Sequence, residues 1–423
     1  MFKTLFVFPS LLTGIGLILI GNGLLGTLLS ARATAGGVSA TGIGAFMALY
    51  FAGFALGTIW VPGLVRRIRY IRTFSILGAV ICCSALLHGL WPNTFFWGVL
   101  RFFSGFCMVG IYTVIESWLN ILATDEKRSV YFSAYMFVCL FALGCGQFLV
   151  ALDDGASLTL FLVAGVLVSA GLVPVGLTRI PEPVLGAMES SAFAEVFRKA
   201  PLGVVACTFS GIAGGAFWGV GPSFVMSVAP VEAVAWFMGA AVFGGLFFQW
   251  PTGWLASRFE RRRVLAMLSA AGAFMAGVFI LVPVTTGWFL AVSAFAFGAL
   301  LFALYPVSVA ITNDRLSADE TLEAARGLLL MNGLGAAVGP LAAGIIMDLA
   351  GNRGLFLFFV TIFSGLALYT VYRLKYPAIL SVENQTPFAP LTRTSVVVMD
   401  MHPGVETTEE HAAVHPREDR REP

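Results

Sequence analysis

Apolar residues run along this chain in blocks of about 20, each closed by a short stretch rich in polar residues, glycine or proline. A helix needs about 20 apolar residues to cross the hydrocarbon core of a bilayer. Twelve such segments can be laid out. The first six are Leu5–Leu29, Gly42–Val61, Thr73–Trp91, Thr94–Asn120, Ser129–Leu152 and Leu158–Leu177. The second six are Leu202–Met226, Val234–Ala256, Val264–Val282, Trp288–Thr312, Gly327–Leu349 and Leu355–Tyr372. Lys3, the apolar run after it and the small residues Ala31, Ala33 and Ala35 imitate a signal peptide. The run is longer than the roughly 7–15 residues of a signal-peptide core, so it reads as a retained first helix.

Basic residues gather at alternate connections. Arg66, Arg67, Arg69 and Arg72 follow the second segment, and Lys127 and Arg128 the fourth. Arg179, Arg198 and Lys199 follow the sixth, Arg258 and Arg261 to Arg263 the eighth, and Arg315 and Arg326 flank the loop after the tenth. The opposite loops hold only Arg32 and Arg353. The positive-inside rule then places both termini in the cytoplasm.

The connection 179–200 divides the chain into residues 1–178 and 201–376, six segments each. Within it Phe193, Val196 and Phe197 share a face opposite Glu195, Arg198 and Lys199, which predicts a short interfacial helix. The polar tail, 377–423, is predicted to be a disordered cytoplasmic extension. Its His411 and His415 read as solvated rather than metal-bound. The two halves repeat. An offset of 193 lays Gly105 on Gly298, Tyr112 on Tyr305, Asn120 on Asn313 and Gly146 on Gly339, and an offset of 191 lays Arg67 on Arg258 and Arg72 on Arg263. The expected fold is an all-α membrane protein of twelve transmembrane helices in two six-helix pseudo-repeats.

Composition agrees. The chain is 58% hydrophobic and only 11% charged, with a mean hydropathy of +0.89, where soluble domains carry about 25% charge. A net charge of +2 and no basic patch argue against a nucleic-acid partner. All six cysteines lie in apolar segments and read as small hydrophobes, with no disulfide framework or zinc spacing. No nucleophile–base pair, phosphate loop or metal cluster is visible, so neither an enzyme nor a cofactor is expected; the partners expected are lipid and a small-molecule substrate, with protons as a coupling candidate.

The chemistry concentrates in Arg101 to Asn120. At helical spacing Arg101, Gly105, Met108, Tyr112 and Glu116 fall within about 80° of one another. A charge in hydrocarbon costs about 2.5–3.5 kcal/mol on insertion scales, so this face should meet protein or a water-filled cavity. Arg101 can couple to a proton or an anionic substrate group, or it can be satisfied by carbonyls and water. Glu116 can bind a proton, or it can latch the inner face against Arg67, Arg69 or Arg128; the latch is the preferred reading. The two charges lie about 22 Å apart along one helix and cannot pair. Asn22, Gln147 and Asn332 are intramembrane amides, and Gly335, Gly339 and Gly344 permit close helix approach. Glu232 and Asp348, near the outer ends of their segments, read as solvated.

The chain resembles the major facilitator superfamily over nearly its whole length apart from the tail. The stretch GWLASRFERRR, Gly253 to Arg263, resembles the superfamily loop between the second and third helices of each half. Ser257 replaces its usual acid and Glu260 its second glycine; the copy around Pro62 to Arg72 is more degraded. Arg101 with Gly105 resembles the arginine-and-glycine motif of the fourth helix. ESWLN, LYPVSVAITNDR and GLGAAVGPLAAGIIMD resemble the YcaD-like branch. The resemblance implies a transporter without implying a substrate. It also implies that Asn22, Tyr112, Trp218, Phe302 and Tyr305 lie on cavity-lining helices, and that Gln147 and Asn332 lie where the halves pack. With the loop acids missing, Arg67, Arg69, Arg128 and Arg258 become gating candidates. The expected function is secondary active transport of a small, partly apolar solute by alternating access, with proton-coupled export as the working mechanism and a monomer as the unit. A passive facilitator and a non-transporting receptor or scaffold are the alternatives.

Overall fold

The structure, a computed structural model, describes residues 2–123, 127–152, 157–178, 193–282, 287–316 and 318–376, and within the tail residues 385, 386, 388, 391, 393–395 and 397. Thirteen α-helices lie among them. The first six are α1 (Phe2–Ala35), α2 (Ala40–Ile68), α3 (Tyr70–Leu90), α4 (Thr94–Leu122), α5 (Arg128–Phe148) and α6 (Thr159–Gly176). The short α7 (Phe193–Lys199) precedes α8 (Pro201–Met226), α9 (Val231–Arg258), α10 (Arg261–Leu281), α11 (Trp288–Asn313), α12 (Ala318–Ala350) and α13 (Gly354–Leu374).

All except α7 are long and apolar enough to cross a membrane, giving the twelve spans expected. Several run beyond their apolar blocks. The block Gly42–Val61 becomes α2 because the helix continues through Arg66 and Arg67. Arg69 ends it at φ 71°, ψ 163°, a region that glycine alone enters freely. Its N–H closes the last turn on the Val65 carbonyl at 2.8 Å. Side-chain caps set other ends: Ser39 Oγ accepts from Gly42 N and Asn93 Oδ1 from Phe96 N, each at 3.1 Å. Large apolar side chains face outward, among them Phe95 (83% exposed) and Trp250 (80%). Lipid is the solvent that such a surface fits; this is a multi-pass membrane protein.

In the first group α1 packs on α5 and α6, α2 on α4, and α3 on α4 and α6. In the second, α8 packs on α12 and α13, α9 on α11, and α10 on α11 and α13. The groups meet chiefly through α2 with α12, α5 with α9 and α1 with α8. Glycines set the closest crossings. A Cβ on Gly53 would sit 1.9 Å from the Phe102 carbonyl oxygen, and one on Gly105 1.9 Å from that of Tyr50. In the other group a Cβ on Gly244 would meet Phe295 O at 2.0 Å and one on Gly298 would meet Ala241 O at 2.0 Å. These are the offsets of the sequence repeat, 191 on the second helix and 193 on the fourth.

A short helix, α7, forms within the connection, with Val196 buried and Phe197 exposed. Neighbouring residues lie about 100° apart on a helix, and α7 turns only one side toward α8 and α12. The loop 179–192 lies outside the described residues.

Candidate functional site

A cavity of about 150 Å³ lies between α1, α2, α4 and α5 on one side and α8, α9, α11 and α12 on the other. Asn22, Arg101, Tyr112, Trp218, Phe302 and Tyr305, separated in sequence, all line it. Asn332 lines it too. It was expected only to pack helices, and it does that as well, its Nδ2 donating to the Cys207 carbonyl at 2.9 Å. Tyr50, Phe51 and Phe54 of α2 were not singled out from sequence. Their signal is Gly53, whose contact with α4 turns this part of α2 toward Arg101.

Arg101 is buried, 4% exposed. Its guanidinium lies face-on over the Tyr50 ring, 4.1 Å from the centroid. Nε and Nη1 have no hydrogen-bond partner among the described residues. A desolvated cation over an aromatic ring gains about 2 kcal/mol, but the ring offers no acceptor to the N–H groups. Asn22 Nδ2 reaches Tyr50 Oη at 3.4 Å, and its Oδ1 is buried without a partner among the described residues. Trp218 and Phe302 form an aromatic wall, their centroids 6.0 Å apart.

Glu116 does not line the cavity. It is fully buried one turn beyond Tyr112. Tyr135 Oη donates to its Oε1 at 2.7 Å, and Ser395 Oγ donates to its Oε2. Arg67 and Arg69, expected to latch it, lie exposed, and Arg128 is half-buried. Each carboxylate oxygen thus accepts from a hydroxyl, one on α5 and one on the tail.

Residues 203–399 match the Major Facilitator Superfamily. The chain is 27% identical over 359 residues to the uncharacterized MFS-type transporter YcaD of Salmonella typhimurium, covering 83% of this chain and 92% of that protein. The chain is thus similar to the major facilitator superfamily over most of its length. Solved structures share its fold. The nucleoside transporter NupG superposes with a TM-score of 0.71 at 13% identity, over 88% of this chain and 100% of that one. A bacterial homologue of the human lysosomal transporter Spinster, inward-facing and occupied, gives 0.73 at 14% identity, over 90% and 98%. These likenesses support a membrane transporter.

The two ends of the bundle differ. At the end away from the arginine-rich loops the groups are pinned together. Asp348 Oδ1 and Oδ2 accept from Ala40 N and Thr41 N at 3.0 and 2.9 Å. Asp348 is exposed, as expected, but it also caps α2 from another helix. Thr34 Oγ1 donates to Ser223 Oγ at 2.8 Å. Gly44 and Gly344 admit the backbones of Pro340 and Ala40, and Gly335 and Gly339 those of Thr208 and Ile212. Gln147 is structural, accepting from Thr27 Oγ1 and donating to Leu143 O at 2.9 Å.

The arginine-rich end is arranged otherwise than the sequence suggested. Arg258 is exposed over the Trp254 ring, 5.7 Å away. Arg261 and Arg262 are buried, and Arg261 pairs with Asp314 at 2.6 Å. Glu260 answers Arg262 and, at 3.1 Å, Arg263. The acids missing from the loop motif are supplied by Glu260 and by Asp314 just past the end of α11. The described residues of the tail reach this end and line the cavity, while most of the stretch expected to be disordered lies outside the described residues. Thr386 N and Oγ1 donate to Asp314 Oδ1 at 3.1 and 2.9 Å. The Arg393 guanidinium lies over Phe51 and Phe54, at 4.8 and 5.8 Å, and donates to Asn332 Oδ1 at 3.3 Å. Burial of apolar Leu391 and Val397 beside these contacts gives the segment a reason to leave water.

Proposed function

We propose that the chain is a secondary active transporter that moves a small, partly apolar solute across the cytoplasmic membrane by alternating access. The observation that carries this reading is the cavity between the two helix groups, pinned shut at one end and approached from the other by the chain's own tail. In this reading residues 1–178 and 201–376 rock about the cavity, with 179–200 as their link. The glycine-notched contact of α12 with α2, at Gly44 and Gly344, supports a sliding interface between the groups, because small residues leave no interlocking ridges to unlatch. The arginine-rich loops orient that end, and both termini, to the cytoplasm.

Glu116 is the coupling residue in this proposal. A buried carboxylate held by two hydroxyl donors can take up and release a proton without breaking the helix packing around it. A passive facilitator would have no use for such a group. The test is a thermal-shift screen of the purified chain against metabolites, since a ligand of the native state raises its melting temperature. Hits are then carried into counterflow in proteoliposomes. Exchange of a binding solute is expected. A solute that binds and never exchanges would leave a receptor in place of a transporter.

A further inference from the structure

We propose that the cavity takes a small organic anion, a monocarboxylate on an apolar body, and that Arg101 holds its carboxylate. This rests on the reading of the cavity as the transport site. Arg101 is a permanent cation with five donors in a planar fork, a geometry matched to carboxylates. It lies on the face of Tyr50, and Nε and Nη1 have no partner among the described residues. Among the described residues no aspartate or glutamate lines the cavity, whereas a second guanidinium, Arg393, does. Glu116 lies behind Ser395 and is already engaged by two hydroxyls.

The charge balance excludes the alternatives in turn. A cationic ligand meets two like charges and no counter-charge. A neutral ligand leaves a buried cation unanswered in a membrane-embedded site. An anion answers it, and the fit goes further than charge. The rest of the wall mixes uncharged polar groups, Asn22, Gln249 and Asn332 among them, with apolar and aromatic ones such as Met47, Leu140, Leu143, Trp218 and Phe302. By volume, about 150 Å³, the cavity has room for a benzene-sized guest. The ligand is thus about one ring, or an equivalent branched chain, carrying one carboxylate.

The test uses the purified full-length chain and follows its melting temperature with benzoate and phenylacetate. Each acid is matched by its amide and its amine, with sodium chloride and inorganic phosphate as further arms. The acids are expected to raise the melting temperature saturably, and the amides, amines and inorganic salts to leave it unchanged. Arg101→Gln should abolish the response. Should that variant not purify folded, Arg101→Lys keeps the charge without the fork and should weaken the apparent Kd roughly tenfold or more. Amides acting as well as acids, chloride or phosphate reproducing the shift, or an undiminished response in either variant would overturn the proposal. If amides or amines bind and exchange while acids do not, the anion is wrong and the transporter reading stands. If no solute of any charge binds or exchanges, the reading beneath it fails as well.

Discussion

The residues that decide this molecule are charges placed where water does not reach, and each has a different answer. Arg261 is answered by Asp314, Glu116 by hydroxyls, and Arg101 by a ring face. Removing one partner of a buried ion pair costs about 3–5 kcal/mol, because the other charge stays behind unpaired. Asp314→Asn should therefore lower the melting temperature well beyond any surface substitution, and Arg261→Met made with it should recover part of the loss. An unchanged melt in Asp314→Asn would place the pair in solvent. Arg101→Ala makes the opposite forecast. It removes a buried cation whose Nε and Nη1 have no acceptor among the described residues, so folding and membrane insertion should survive while uptake or exchange of any binding solute is lost. Full transport in that variant would make Arg101 a structural residue. Glu116→Gln keeps the shape and removes the charge. Net proton-driven flux is expected to fail while counterflow exchange persists; loss of both together would assign Glu116 to packing. Arg101 and Glu116 were legible in the sequence because a charge in an apolar run stands out. Their partners were not. Arg261 and Asp314 are 53 residues apart, and no spacing rule joins the end of one helix to the start of another.

At the scale of the element, glycine is what brings the helices together. On an isolated helix Gly→Ala stabilises by about 1 kcal/mol. At Gly105 and Gly298 the added methyl would overlap a backbone carbonyl of the facing helix, at 1.9 and 2.0 Å. A backbone cannot swing aside as a long side chain can, so the helix pair must separate and lose the contacts along its crossing. Gly105→Ala and Gly298→Ala should each abolish recovery of folded protein or lower its melting temperature sharply, and by similar amounts. Gly214→Ala, where a Cβ meets nothing within 4 Å, should be tolerated. Tolerance at Gly105 together with damage at Gly214 would reverse the packing described. The equal forecast for Gly105 and Gly298 comes from the sequence repeat, whose offset proved to be a relation between crossings as well as between letters. The helix ends were less legible. Hydropathy marks where hydrocarbon begins, but a helix stops where its backbone is forced to, as α2 does at Arg69.

Across the whole molecule the tail changes the picture most. Composition assigns it to water, because polar residues outnumber apolar ones from Pro377 onward. That inference treats the bundle as a wall. The bundle instead offers the tail an acceptor at Asp314, two ring faces on α2, an amide at Asn332 and a carboxylate at Glu116. Each is a partner for a particular polar group of the segment, and none is visible to a composition count. The tail thereby stands between the cavity and the arginine-rich end. A tethered occupant competes at an effective concentration on the order of millimolar, whatever its intrinsic affinity. Ending the chain after Tyr376 should remove that competition. Cys139, which lines the cavity and is 1% exposed, is the native reporter. In a background with the other five cysteines replaced, a small maleimide should label it faster in the shortened chain than in the full one. A solute that binds the cavity should show a lower apparent Kd in the shortened chain and should protect Cys139 from the reagent. Arg393→Ala should raise the labelling rate by a smaller amount, since Thr386 and Ser395 still hold. Equal labelling rates in the full and shortened chains, with equal ligand affinity, would mean that the tail leaves the cavity open in the membrane.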